Sequence, residues 1–189
     1  MPNDPFADAD DLPARVTLRD GRQVVLRNIQ AEDKAALQAA FHRLSADSRY
    51  TRFMASMRDL PEAMLESATH PAPDRAFALV AVTGDAEAER IVGSARYAAA
   101  AGSDICEFGV TVGDDWHGIG LARSLLQVLI GAARARGYRT MEGYVLASNS
   151  SMRGLAHRLG FADTQCPDDA TLRVVTLHLM EEGSTSSLP

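Results

Sequence analysis

Cysteine is scarce in this 189-residue sequence, which has only Cys106 and Cys166. Two thiols exclude a disulfide framework and a cysteine-rich metal knuckle. Cys106 lies inside an apolar strand pattern and reads as a buried thiol. Long apolar runs are also missing. No stretch approaches the roughly 18–20 residues of a membrane span. The start, MPNDPFADADDLPAR, has neither a basic leader nor an apolar core, so it is not a signal peptide. The expected location is therefore the cytoplasm, with no membrane partner. His42, His70, His157 and His178 are scattered without metal-ligand spacing, and no metal site is expected. A basic surplus is absent as well. The 19 Lys and Arg residues against 25 Asp and Glu give a formal net charge of −6. That balance argues against a nucleic-acid partner. It suits a cationic substrate, or simply solubility. Lysine is nearly missing, Lys34 being the only one.

What is present is an ordinary globular composition, 46% apolar and 23% charged, in a chain long enough for one domain with a sizeable core. Residues 1–14 are rich in Asp and Pro and read as a disordered tail, as do residues 183–189. One domain is expected over residues 15–182. VTLRDGRQVVLRNI reads as a hairpin with Asp20–Gly21 at its tip. Helices are expected over Ala31–Leu44, over Ala46–Met54 capped by Ser45, and over Pro61–Thr69. Strands follow at Ala76–Val82, Arg90–Ala100 and Asp104–Val112. A long helix then runs from near Gly118 to Arg136. Next come a strand at Thr140–Ala147, a helix at Asn149–Leu159 stopped by Gly160, and a strand at Thr171–Leu179. The sum is a mixed α/β domain.

The most informative segment is EFGVTVGDDWHGIGLARSLLQVLIGAARARG. Ile119, Ala122, Leu125, Leu126, Leu129, Ile130 and Ala133 form one continuous apolar stripe, so one helix face packs on the sheet. The helix opens on Gly118, Gly120 and Ala122, small residues that let a ligand approach the backbone. Its first amides lack intrahelical partners, and the helix dipole favours an anion there. A strand, glycine turn and helix in this order make a phosphate cradle, and the pyrophosphate of coenzyme A fits it. A Rossmann site fits less well. The turn follows at least four strands, and the next strand ends in Val145-Leu146-Ala147 without the required acid. No Walker Gly-Lys-Ser/Thr run is present.

Glu107 is the only charged side chain between Ile105 and Val112. Alternation puts Phe108, Val110 and Val112 on one face and Glu107, Gly109 and Thr111 on the other. In a half-buried strand, desolvation is expected to make the Glu107 carboxylate a stronger base. It is the candidate general base for taking a proton from an amine. The alternative is a glutamate facing a wet groove or paired with an arginine. Arg49 and Arg52 sit near the presumed acceptor side, where they could contact an acidic substrate region, but a plain surface role is expected. Trp116 is expected to pack under the loop.

These residues resemble the GNAT (Gcn5-related N-acetyltransferase) superfamily. HGIGLA is similar to its Gln/Arg-x-x-Gly-x-Gly/Ala pyrophosphate signature, with His117 at the Gln/Arg position, Gly120 at the glycine and Ala122 at the last small residue. NSSMRGLAHRLGF looks like the second GNAT motif. LRNIQAEDKAALQAAFHRLSADSRYTRFM resembles the opening of the catalytic domain of bacterial Pat-type protein lysine acetyltransferases. The likeness spans about residues 16–180. It implies a central mixed, mostly antiparallel twisted sheet flanked by helices, with acetyl-CoA as co-substrate at the glycine turn. It further implies that backbone groups of Val110, Thr111 and Val112 pair with the pantetheine arm. The pyrophosphate would be held by the amides of Gly118, Ile119, Gly120, Leu121 and Ala122, with Arg123, and Asn149 would touch the cofactor. It agrees with Glu107 as base. Many relatives place a tyrosine general acid where this sequence has Ala156; Tyr138 and Tyr144 lie nearby in sequence. The implied acceptor is a protein lysine, acyl-CoA synthetases among the candidates. A small-amine acceptor, an amino acid or an aminoglycoside, or a non-catalytic acyl-CoA sensor is the alternative, and either a monomer or a homodimer is compatible. Many Pat-type proteins carry a large regulatory region that this sequence lacks, so control by such a region is not expected. Self-acetylation would have one side-chain target, Lys34.

Overall fold

The structure is a computed structural model that describes residues 11–84 and 88–180. The expected tails, residues 1–14 and 183–189, lie almost wholly outside the described residues.

The hairpin forms where expected, with β1 at Ala14–Thr17 and β2 at Gln23–Asn28. Its tip closes on Gly21 at φ +88°, and Asp20 accepts from the backbone N–H of Arg22 at 3.1 Å. The expected helix over Ala31–Leu44 divides into a 3-10 turn, Ala31–Asp33, and α1, Lys34–His42. The division follows from Asp33, whose carboxylate turns back to the Gln30 N–H (2.8 Å) and to the Arg27 guanidinium (2.8 and 2.9 Å). α2 is Ala46–Phe53, and Ser45 caps it by accepting from the Ser48 N–H at 3.1 Å. α3 is Glu62–Thr69. Lys34 bonds Glu62 at 2.8 Å and pairs with Glu66, tying α1 to α3. These carboxylates hold its ammonium proton on, Glu62 foremost, so Lys34 is a poor nucleophile.

The remaining elements are β3 (Ala76–Thr83), β4 (Arg90–Ala99), β5 (Ile105–Val112), α4 (Leu121–Ala135), β6 (Thr140–Leu146), α5 (Ser150–Arg158), β7 (Ala162–Gln165) and β8 (Leu172–His178). One sheet of eight strands runs β1-β2-β3-β4-β5-β6-β8-β7. Every pairing is antiparallel except β5–β6. This is the mixed, mostly antiparallel sheet expected from the sequence. β7 has no counterpart in the sequence reading. Its four residues, ADTQ, are polar and largely exposed, and only pairing with β8 makes them a strand.

Helices cover both faces. α1 and α3 pack through Leu37 and Leu65 against Val80, Val82 and Ile91. On the other face α4 buries Leu121, Leu125, Leu126 and Leu129 completely. It sits close because β4 has Gly93 beneath it, where a side-chain carbon would lie 3.1 Å from Leu125 Cδ1 and 3.2 Å from Leu121 Cδ2. α4 begins at Leu121 rather than near Gly118. Gly118 (φ +75°) and Gly120 (φ +100°) are left-handed, so they form the turn before the helix.

The Asp33 site predicts an acid response. Burial works against its charge, but the bonds from Arg27 and Gln30 prevail and hold its carboxyl below the usual range. A depressed carboxyl stabilises the fold above its unfolded value of about 3.9, and that stability is lost as pH falls through the folded value. In thermal melts from pH 6 down to pH 3, Asp33→Asn is therefore expected to melt below the wild type at pH 6. The gap should narrow below about pH 4.

Candidate active site

β5 and β6 pair in parallel only through Ile105↔Thr140, Cys106↔Met141 and Glu107↔Glu142. Beyond that point they part. Gly143 leaves room for the Phe108 ring, which would lie 2.6 Å from a side-chain carbon at 143 and packs edge-on to Phe161 at 5.4 Å. β5 keeps its pairing to β4 as far as Val112. In an antiparallel pair only alternate backbone groups point at the partner strand. Gly113 N–H donates to the Val92 carbonyl and the Val112 carbonyl turns to His117, so by alternation the N–H and C=O of Val110 face the gap, while those of Gly109 and Thr111 face β4. A cleft of about 990 Å³ opens there and runs to the start of α4. Its lining includes Glu107, Val110, Thr111, Val112, His117, Gly118, Gly120, Leu121, Ala122, Arg123 and Asn149. Of the residues expected to bind the cofactor or act as base, Ile119 is the one outside this lining. It is half-buried against the core, and its carbonyl accepts from the Arg19 N–H at 3.1 Å.

The anion end of the cleft is built from the glycine turn and the α4 N-terminus. A side chain at Gly118 would meet nothing within 4 Å, so the backbone there is open to a ligand. The first turn of α4 holds no acidic residue. The amides of Leu121, Ala122 and Arg123 lack intrahelical partners by position. Arg19, just beyond β1, passes by Gly120 with Nε 3.7 Å from where a side chain would start. Nothing local in the sequence marks Arg19, since the contact spans about a hundred residues. At the other junction Asn149 caps α5, its Oδ1 accepting from the Met152 N–H at 3.0 Å. These features fit a pyrophosphate: open backbone, unpaired amides and positive side chains without a competing carboxylate.

His117 is exposed, and its Nε2 donates to the Val112 carbonyl at 3.0 Å. It thereby staples the loop to the end of β5. Trp116 is stacked by Arg22 at 4.1 Å, and Arg22 Nη2 donates to the Asp115 carbonyl at 2.8 Å, so the hairpin also braces this loop. Asp114 accepts from the Ser45 N–H at 2.7 Å and from the Ser48 hydroxyl. Burial alone would raise its carboxyl, but these bonds outweigh it and hold it below the usual range. The anion loop and α2 are thus clamped together across the cleft.

Glu107 is exposed, not half-buried as expected. The expectation assumed a continuous sheet, but β6 leaves β5 at Glu107, so the carboxylate stands in the cleft without the desolvation a covered strand would impose. Arg52 departs from expectation the other way. It lies over Gly109, partly buried, and its Nε donates to Thr111 Oγ1 at 3.0 Å. Arg49 turns back instead, donating to the carbonyls of Leu44 (3.1 Å) and His42 (2.9 Å). Ala156 is buried in the core, as is Tyr138 against Tyr97. Tyr144 alone of the nearby tyrosines lines the cleft. Glu142 first, then burial and Glu107, keep its phenol protonated. Among the described residues no group of His, Cys, Asp and Glu could hold a metal, and no helix is long and apolar enough to cross a membrane.

Comparisons with known proteins agree with this fold. Residues 23–162 match the model of the acetyltransferase (GNAT) domain. An acetyltransferase of Pseudomonas aeruginosa is 36% identical over 155 residues, covering 82% of this chain and 83% of that one. The crystal structure of the GNAT domain of S. lividans PAT superposes with a TM-score of 0.78 at 26% identity, over 87% of this chain and 96% of that one. An acetyltransferase structure from Salmonella typhimurium, solved with its cofactor acetyl-CoA, has the same fold. Its TM-score is 0.65 at 20% identity, over 87% of this chain and 99% of that one.

Proposed function

This chain belongs to the GNAT acetyltransferase family, and from that premise we propose that it transfers an acetyl group from acetyl-CoA to a lysine side chain of a protein, with Glu107 as general base. The observation that carries the reading is Glu107 standing at the point where β5 and β6 part, in the same cleft as the glycine turn.

Acetyl-CoA supplies an activated carbonyl and a thiol leaving group. The residues of this chain do the rest. The amides of Gly118 through Ala122, with Arg123, hold the pyrophosphate. The unpaired carbonyl of Val110 aligns the pantetheine arm, and its N–H, facing the gap, donates to the oxygen that gains charge, while the backbone groups of Thr111 face β4. The Val112 carbonyl already accepts from His117, so that residue positions the loop. Asn149 contacts the cofactor from the α5 junction. Lysine has a pKa of about 10.4, so its ammonium must lose a proton before it can attack. Glu107 takes that proton. Ala156 brings no hydroxyl where many relatives place a tyrosine acid, so the thiolate leaves directly or takes its proton from water.

The acceptor class is tested by following free-thiol release from acetyl-CoA with purified lysine-bearing proteins, acyl-CoA synthetases included, beside small amines. Release with proteins supports the lysine reading. Release with small amines alone keeps the chemistry and removes the protein acceptor. Tight acetyl-CoA binding with no release from any acceptor points to a sensor. A variant tests the cradle separately. Gly120→Val forces a branched side chain into φ +100°, a strain of about 1–3 kcal/mol. Acetyl-CoA binding measured by calorimetry is expected to weaken by about tenfold or more.

A further inference from the structure

Arg52 is a cation in the wrong place for a surface residue. α2 delivers its guanidinium onto β5 directly above Gly109, where a side-chain carbon would come within 2.7 Å of Cζ. Only a glycine at 109 makes room for it. Nε is used by Thr111. The two terminal nitrogens have no hydrogen-bond partner among the described residues, and Arg52 forms no ion pair there. Desolvation pushes Arg52 down to about 10, and the like charge of Arg96 adds to this, while Glu107 opposes it. Arg96 faces Gly109 from the neighbouring strand β4, and its Nη2 donates to Ser67 Oγ at 3.4 Å. Arg52 lines the cleft and Arg96 acts on it from outside the lining, and Glu107 is the acidic group near enough to act on Arg52 without pairing with it.

A partly buried guanidinium without a carboxylate is costly. Its planar fork suits a carboxylate held by two parallel bonds. Burying Arg52 here while Glu107 stays unpaired leaves the two groups complementary to a ligand bearing both charges. We propose that Arg52 is the subsite for a carboxylate that the acceptor carries close to its reacting amine. Resting on the transfer reading above, this makes the substrate class a lysine flanked by an acidic residue. A free amino acid carries the same chemistry on a smaller body.

The test uses matched acceptors: an end-capped peptide with lysine beside glutamate, its twin with lysine beside glutamine, and a free amino acid beside its amide. Binding is measured by calorimetry with CoA in place of acetyl-CoA, so that no transfer occurs, and thiol release is followed in parallel with acetyl-CoA. In the wild type the carboxylate member of a pair should bind at least about tenfold more tightly. In Arg52→Gln that ratio should fall to about one, and in Arg52→Lys to an intermediate value, since the charge stays and the fork is lost. The pair that shows the preference identifies the source, peptide or amino acid. Equal binding of both members in the wild type overturns the proposal even if transfer is brisk. A ratio that survives in Arg52→Gln also overturns it. Preferential binding without thiol release leaves the carboxylate subsite standing and removes the transfer reading instead.

Discussion

Glu107→Gln is expected to lower kcat by about 10²–10⁴-fold, the usual loss when a general base is removed. The substitution is nearly isosteric and replaces the carboxylate with an amide that cannot take a proton. Glu107 makes no hydrogen bond or ion pair among the described residues, so little of the fold depends on its charge. Tm should therefore stay within about 1 °C of the wild type, as for surface substitutions away from structural features. Acetyl-CoA affinity should stay within about twofold, because a helix-end pyrophosphate site does not involve this side chain. The pH profile is the sharper readout. In the variant kcat/KM should rise with pH only as the acceptor's own ammonium, at about 10.4 for lysine, loses its proton, because a neutral lysine needs no base. A variant that keeps wild-type kcat would assign deprotonation elsewhere, with Glu142 on β6 the neighbour to examine next.

The second large effect is on the scaffold. Leu125→Ala is expected to destabilise the protein by about 2–5 kcal/mol, the range for truncating a fully buried leucine. Leu125 has no exposed surface and packs over Gly93, the close point between α4 and the sheet. The surroundings cannot collapse into the space left behind, because Leu121 and Leu129 on the same stripe are themselves fully buried. For a chain of this size the melting temperature should fall by roughly 5–15 °C. α4 also carries the anion cradle at its first turn, one helical turn from Leu125. Acetyl-CoA should therefore recover part of the lost stability by mass action. Melts with and without acetyl-CoA check both statements. A Leu125→Ala protein melting within 2 °C of the wild type would mean that this contact does not hold α4 down.

Much of the architecture was legible because it is local. The stripe from Ile119 to Ala133 and the glycines at 118 and 120 specify a helix with an open N-terminus wherever the chain lies. Strand alternation and the turn at Asp20–Gly21 likewise depend on neighbours a few residues away. β7 was not legible, because ADTQ has no apolar period and becomes a strand only when β8 offers its edge.

The sequence alone determined the order of every element but β7 and the set of small residues at the phosphate end, and its motifs carried the family resemblance. The first two follow from hydrophobic period, glycine conformation and spacing, which the chain carries with it. Only the tertiary structure decided where the charges stand. Glu107 is exposed because β6 leaves β5 at that residue. Arg52 is partly buried because α2 folds back onto Gly109. Asp114 clamps α2, and His117 staples its own loop to β5. Arg52 and Asp114 depend on partners more than fifty residues away, and the fate of Glu107 on where a strand pairing stops. The solvation of a charge is set by everything that surrounds it in space, and no local pattern of residues encodes that.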